Sequence, residues 1–120
     1  MEIEFYQDDD GRKPVQEFLD SLKPKMRASM VDKIRYLQEV GHLIRPPKSK
    51  HLIDGIYELR AQAEGDITRV LYFFVVGNKA VLTHGFIKKT KKTPPEEIAR
   101  AESSRQRYME QKRKEDTSHG

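Results

Sequence analysis

The residues with the clearest chemical potential are basic side chains in the second half of the chain. Arg60 ends the segment GIYELR, Arg69 lies in TRVLYFF, and four lysines follow in the segment KKTKK. A guanidinium is permanently charged and matches phosphate oxygens, whereas a lysine supplies a movable point charge. Such groups on neighbouring strands could hold a phosphodiester and stabilise the charge that develops when it is cleaved.

Cleavage of RNA also needs a proton to leave the 2′-hydroxyl and another to reach the 5′ leaving oxygen. A lysine among like charges gives up its proton more readily, so Lys88 or Lys89 could serve. His84 could also move a proton, although a single His among Val, Leu and Phe is more often a packed core residue. We therefore predict catalytic roles for Arg60, Arg69, Lys88 and Lys89, and RNA contacts for Lys50, His84, Lys91 and Lys92.

Three predicted strands would position these side chains. A turn over Gln62 to Asp66 sets Arg60 directly opposite Arg69. A two-residue turn at Gly77-Asn78 then sets Arg69 opposite Phe86 and Ile67 opposite Lys88. In this register the charged groups share one face of the sheet.

Two arginines that face each other across a ladder destabilise the sheet unless something compensates their charge. Nearby acids, Glu58, Glu64 and Asp66, could neutralise them, or the pair could remain open to bind an anion. We expect the open alternative, with Arg69 exposed, so that Arg69→Ala would leave folding largely intact. Placement of Arg60 and Arg69 on opposite sides of the sheet, or burial of both in acidic ion pairs, would remove the proposed electrostatic clamp.

The remaining elements indicate an α+β fold. Residues 2–7 alternate as a short strand, and apolar stripes begin helices at Pro14 and Pro24, with Gly41 ending the second. Arg45-Pro46-Pro47 starts an extended connector. Thr93, followed by two prolines and Glu96, is typical of a capped helix start. We expect one domain over residues 1–110 and a flexible basic tail over residues 111–120.

Composition narrows the possible functions. The 120 residues contain no Cys and carry a net charge of +4, with eleven Lys or Arg against four Asp or Glu between Lys79 and Lys114. Such asymmetry favours a nucleic-acid or acidic-protein partner. The His residues have no metal-ligand spacing, so neither a metal nor another cofactor is predicted. The polar N-terminus and the lack of a long apolar run indicate a cytoplasmic protein that does not span a membrane.

The segments ELR, TRVLYF and GFIKKTKKTP resemble the RelE/HigB superfamily of type II toxins, in particular its phage-related HigB-like branch. The resemblance extends from Ile3 to about Tyr108. It implies a compact domain with two N-terminal helices packed on a twisted, mainly antiparallel sheet of about four to five strands, plus a C-terminal helix. By motif position, Arg69 matches the phosphate-binding arginine of RelE-type toxins, and Lys88 or Lys89 the basic residue on the last strand.

The same resemblance implies metal-independent, ribosome-dependent cleavage of mRNA with 2′,3′-cyclic phosphate products. It further implies a cognate helix-turn-helix antitoxin of the HigA type, held in a heterotetramer. The chain departs from the family pattern because residues 90–95 contain no tyrosine to act as a general base. Two alternatives therefore stay open: a ParE-like toxin that inhibits a topoisomerase without chemistry, and an inactive module that binds RNA or antitoxin.

Overall fold

A computed structural model describes residues 1–88 and 91–118 as an α+β fold. Three α-helices accompany a five-stranded sheet with the strand order β1-β5-β4-β3-β2. In chain order the elements are β1 (Glu2–Phe5), α1 (Pro14–Ser21), α2 (Pro24–Val40), a short 3-10 helix (Gly41–Leu43), β2 (Ser49–Ile53), β3 (Ile56–Ala63), β4 (Asp66–Val75), β5 (Lys79–Lys88) and α3 (Pro95–Ser118). The fold class predicted from the sequence is confirmed.

The sheet is antiparallel except at one edge. β1 pairs with β5 in parallel, whereas the β2–β3, β3–β4 and β4–β5 pairs are all antiparallel. Because β1 is followed by both leading helices before the chain returns, its parallel pairing is a long-range contact that alternation alone does not predict. The connector predicted after Pro47 instead forms the opposite edge strand, β2.

Helices cover both faces of the sheet. On one face, apolar residues of α1 and α2 such as Leu19 and Met30 pack on Leu59, Val70 and neighbouring strand residues. On the other face, Ala101 and Tyr108 of α3 pack on Leu71, Phe73 and their neighbours. Each such fully buried large side chain contributes about 1.5–3 kcal/mol relative to an exposed one. The two cores hold the central strands β3, β4 and β5 rigidly between them.

The hairpin turns set the register of the basic residues. Glu64 and Gly65 both have positive φ and join β3 to β4, and Arg60 pairs with Arg69 as predicted. The β4–β5 loop has three residues, Val76 to Asn78, rather than the two predicted. A bulge at Thr83 adds one further residue to β5 and so restores the predicted pairing of Arg69 with Phe86.

The helix ends agree with the proline and glycine signals of the sequence. Pro14 and Pro24 begin their helices, and Gly41 closes α2 with a positive φ of 56°. The third helix begins at Pro95, one residue later than predicted. It continues to Ser118, so the segment beyond Gln111 is helical, and its flexibility stays a prediction. None of the described helices has the length and apolarity needed to cross a bilayer.

Gly85 is required by the packing of α1 against β5. A Cβ on Gly85 would overlap the Phe18 ring at Cδ2, far inside van der Waals contact. We therefore predict that Gly85→Ala destabilises the protein by about 1–3 kcal/mol, because the ring must leave its position. Urea denaturation of wild type and variant measures this difference.

The matched control for this clash is Phe18→Ala, alone and combined with Gly85→Ala. If the clash is the cause, Gly85→Ala lowers the free energy of unfolding much less when the Phe18 ring is absent. The double-mutant cycle then shows a coupling between the two positions. Equal costs with and without the ring would mean that Gly85 is needed for another reason.

Candidate functional site

Two arginines of the central hairpin share one buried carboxylate. Glu58, which is fully buried, accepts hydrogen bonds at Oε2 from Arg69 Nη1 at 2.7 Å and from Arg60 Nε at 3.1 Å. All three residues lie on the α3 face of the sheet because Glu58 and Arg60 alternate along β3 and Arg69 lies opposite Arg60. One carboxylate therefore balances two guanidinium groups, and the cluster keeps a positive charge.

The expectation of an exposed arginine pair is wrong for Arg69. This residue is 3% exposed and forms a buried ion pair with Glu58, so it is not open to bind a phosphate. Burial lowers the pKa of Arg69, while the Glu58 carboxylate opposes that shift. The acid that neutralises the pair is one of the three that the sequence offered. Arg60 keeps 27% of its side chain accessible and is the arginine that can meet a ligand.

Glu58 also holds the segment that leads into α3. Thr93 donates a hydrogen bond from its hydroxyl to Glu58 Oε1, rather than capping the helix as predicted. This bond draws the segment before α3 across the α3 face of the sheet and fixes the backbone next to the exposed Lys91 and Lys92. The Glu58 carboxylate is thus the point at which β3, β4 and the segment before α3 meet.

A positively charged cleft opens beside this cluster, where β3 extends beyond the end of β2. Its volume is about 310 Å³, and its lining includes Lys33 of α2, Lys48 of the connector, and Arg60 and Arg69 of the hairpin. The remaining lining residues are Pro47, Ala61, Gln62 and Ile67. None of the described residues that line this cleft carries a carboxylate, and Glu58 behind it balances only one of the two arginine charges, so an anion entering the cleft meets a net positive field.

Two contacts hold the connector at the cleft. The Nζ atom of Lys48 lies 3.9 Å from the ring centroid of Tyr36 in α2, a cation–π contact. The carbonyl of Lys48 accepts a hydrogen bond from the backbone nitrogen of Arg60 at 2.9 Å. Lys48 and Arg60 therefore lie side by side at the rim, although they are distant in the sequence.

The other predicted site residues have varied locations. Lys50 is exposed and pairs with Glu58, so it shares the sheet face of Arg60. Lys88 ends β5, where its backbone pairs with Ile67, a residue of the cleft lining. The side chain of Lys88 and all of Lys89 lie outside the described residues. Their catalytic roles stay predictions.

His84 is a core residue, not an RNA contact. It is 1% exposed, and burial together with the charge of Arg100 lowers its pKa to about 3. Its Nε2 atom lies 3.7 Å from Glu97, but burial prevails over this acid, whose own pKa is raised. The imidazole is therefore neutral at physiological pH. The predicted RNA-binding role of His84 is wrong in this arrangement, because RNA cannot reach the ring.

Sequence reasoning missed Lys33, Lys48 and the role of Thr93. Lys33 lies on the polar side of the α2 stripe, where a lysine normally indicates only a solvated face. Lys48 follows two prolines in what the sequence indicated was a connector. No local signal distinguishes these lysines, because their proximity to Arg60 depends on how α2 and the connector pack on the sheet edge.

Among the described residues, no group of three His, Asp or Glu could hold a metal ion.

The chain belongs to the family described as Phage derived protein Gp49-like (DUF891), whose model matches residues 17–106. This phage-derived, toxin-like family is associated with RelE-like toxins and implies an antitoxin partner. No curated protein matches the chain significantly. The matched region extends from α1 into α3 and includes the Glu58 cluster and the whole cationic cleft.

The ion pair predicts the cost of removing Arg69. Arg69→Ala leaves the buried Glu58 carboxylate with only Arg60 as its ionic partner, and we expect the free energy of unfolding to fall by about 3 kcal/mol. Urea denaturation measures this loss, with exposed Lys50→Ala expected to stay within about 0.5 kcal/mol of wild type. Combining Arg69→Ala with Glu58→Gln should cost less than the two single changes together. Equal stability of the Arg69 and Lys50 variants would contradict a structural ion pair.

The depressed pKa of His84 predicts a pH-dependent stability. Below its ordinary value of 6.5 the unfolded chain binds a proton at His84, whereas the native state does not until about pH 3. Stability is therefore lost as the pH falls through this range, by about 2 kcal/mol between pH 6.5 and 5. Thermal unfolding at both pH values should show this loss in wild type and a smaller one in His84→Gln.

Glu97 provides the control for this titration. Because the pKa of Glu97 is raised in the native state, its own contribution to stability grows as the pH falls and partly masks that of His84. Glu97→Gln should therefore steepen the loss of stability toward pH 5. An unchanged slope in the His84→Gln variant would mean that another group causes the acid sensitivity.

Proposed function

We propose that this member of the Gp49-like family is the toxin of a type II toxin–antitoxin pair and cleaves mRNA on the ribosome without a metal. The observation that carries the proposal is the cationic cleft, in which Lys33 of α2 and Lys48 join Arg60 and no described lining residue carries a carboxylate. Such a cleft suits the phosphate backbone of a single RNA strand. The family's association with RelE-like toxins supports the same conclusion.

In this proposal Arg60, Lys33 and Lys48 hold the phosphate. Arg60 comes from a central hairpin and is oriented by its bond to Glu58, so its donors are fixed before the RNA arrives. Fixed donors stabilise the extra negative charge of the pentacovalent phosphorane at little cost in reorganisation. Arg69 does not touch the RNA but acts as a positioning residue, since it anchors the carboxylate that orients Arg60.

The proposed reaction is an internal transfer to the neighbouring ribose oxygen. The 2′-oxygen attacks phosphorus, its proton passes to a base, and the bond from phosphorus to the 5′-oxygen breaks as that oxygen takes up a proton. The products are a 2′,3′-cyclic phosphate and a free 5′-hydroxyl. Lys88 and Lys89 remain the proposed proton carriers, because the end of β5 pairs with Ile67 at the cleft.

The proposed setting is the cytoplasmic ribosome. The described lining of the cleft supplies cations but no His or carboxylate, which makes a sparse catalytic site, and the ribosome can compensate by holding the mRNA in a reactive geometry. Lys50, Lys91 and Lys92 would extend the positive surface along the RNA. A cognate helix-turn-helix antitoxin, in a heterotetramer with the toxin, would keep this surface inactive until the antitoxin is removed.

Cleavage by purified protein on programmed ribosomes tests the proposal. We predict discrete mRNA cuts in primer extension, reduced about 100-fold to 1,000-fold by Arg60→Ala because a fixed donor to the phosphorane is lost. Lys33→Ala should reduce cleavage less than Arg60→Ala, because Lys33 supplies a movable point charge rather than a fixed pair of donors. Lys25→Ala is the matched control, since Lys25 lies on the same helix, is exposed and lies outside the cleft. This variant should cleave the mRNA as wild type does.

The chemistry has its own control. An mRNA with a 2′-deoxyribose on the 5′ side of the scissile phosphate lacks the attacking oxygen and should not be cut there. Intact mRNA together with inhibited DNA supercoiling would overturn the nuclease in favour of a ParE-like toxin. Intact mRNA with normal supercoiling would identify the chain as a binding module without catalytic activity.

A further inference from the structure

A cluster of accessible aromatic rings lies on the α2 side of the sheet edge. Ring centroids of His42 and Phe74 are 4.0 Å apart, those of His51 and Tyr57 are 5.0 Å apart, and those of Tyr57 and Phe74 are 5.2 Å apart. The two histidines are exposed and the other two rings are half-buried. Tyr57 and Phe74 pack against the core, so His42 and His51 are the rings of this cluster that a flat ligand can reach most directly.

The rings line a second cleft, which has a volume of about 280 Å³. This volume lies near the lower end of ligand pockets, about 300–1,000 Å³, and suits one flat heterocycle rather than a whole nucleotide. Arg45 lies at the cleft and holds its Nη1 atom 3.4 Å and 3.3 Å from the carbonyls of His42 and Ile44. Its other N–H groups remain able to donate to a ligand. Among the described residues that line this cleft, none carries a carboxylate.

The aromatic cleft adjoins the cationic cleft along one short segment. Arg45, Pro46 and Ser49 line the aromatic cleft, whereas Pro47 and Lys48 line the cationic one. A single chain of phosphates and bases that crosses this segment would therefore meet stacking rings on one side and cations on the other. The two clefts together match the alternation of an RNA strand.

We propose that the aromatic cleft binds one unpaired nucleobase of the RNA whose neighbouring phosphate occupies the cationic cleft. The base stacks on the exposed rings, and Arg45 donates hydrogen bonds to its edge. The RNA must be single-stranded, because a base in a duplex is stacked on its neighbours and does not reach the rings. This inference rests on the proposed RNA-cleaving function and assigns to that function a base-binding subsite.

A non-cleavable RNA tests the subsite. A 2′-fluoro hexanucleotide keeps the phosphates but lacks the attacking oxygen, and 2-aminopurine placed at each position in turn reports stacking by quenching. We expect quenching at one position, and about tenfold weaker binding when that position is made abasic, as for the loss of one stacked base. His42→Ala and His51→Ala should each weaken binding several-fold, whereas His42→Phe should keep most of it.

Leu43→Ala is the matched control, because Leu43 is adjacent to His42, is 72% exposed and does not line the cleft. The affinity of the Leu43→Ala variant for the RNA should equal that of wild type. Equal affinity for the base-bearing and abasic RNA would overturn the subsite while leaving phosphate binding intact. A ribosomal cleavage assay with His51→Ala separates the two proposals. If this variant changes neither RNA binding nor mRNA cleavage, the subsite is disproved while the proposed cleavage stands.

Discussion

The carboxylate of Glu58 is the interaction on which the site depends. The hairpin register places Arg60 directly opposite Arg69, and two like charges at that spacing destabilise a sheet. Glu58 bonds to both guanidinium groups and to Thr93, so one buried acid removes the repulsion and anchors the connector before α3. A buried charge is costly without partners. The central strands therefore tolerate the two arginines only while this carboxylate stays in place.

Much of this arrangement could be predicted from residue patterns because hairpin register is a local property. The pairing of Arg60 with Arg69 follows from the turn at Glu64-Gly65, where two residues of positive φ close the hairpin. The pairing of Arg69 with Phe86 was predicted correctly for an incomplete reason. The loop after Val75 is one residue longer than predicted, and the bulge at Thr83 compensates for that extra residue. Neither the longer loop nor the bulge was predicted, and because they shift the register in opposite directions, the predicted pairing is still right.

The rest depends on packing between segments that are distant in the chain. Arg69 is buried because α3 and the segment before it cover that face of the sheet. A strand pattern alone does not contain that information. Lys33 reaches the cleft because α2 packs against β3, and Lys48 because the connector runs along the same edge. His84 illustrates the reverse case, since its apolar neighbours in the sequence already favoured a core residue over the RNA contact that was predicted.

The edge strand β2 is the element that could unite binding and chemistry. Its alternating side chains point to opposite faces, so Ser49 and His51 lie toward the aromatic cleft while Lys50 lies toward Arg60. An edge strand is open on one side, and a ligand can therefore contact both faces without crossing the body of the sheet. A backbone hydrogen bond from Arg60 to Lys48 at the start of this strand holds the segment that joins the two clefts. In the proposed reaction, an RNA strand that lies across β2 is positioned before its reactive phosphate reaches Arg60, so binding energy gained at the rings orients the scissile bond.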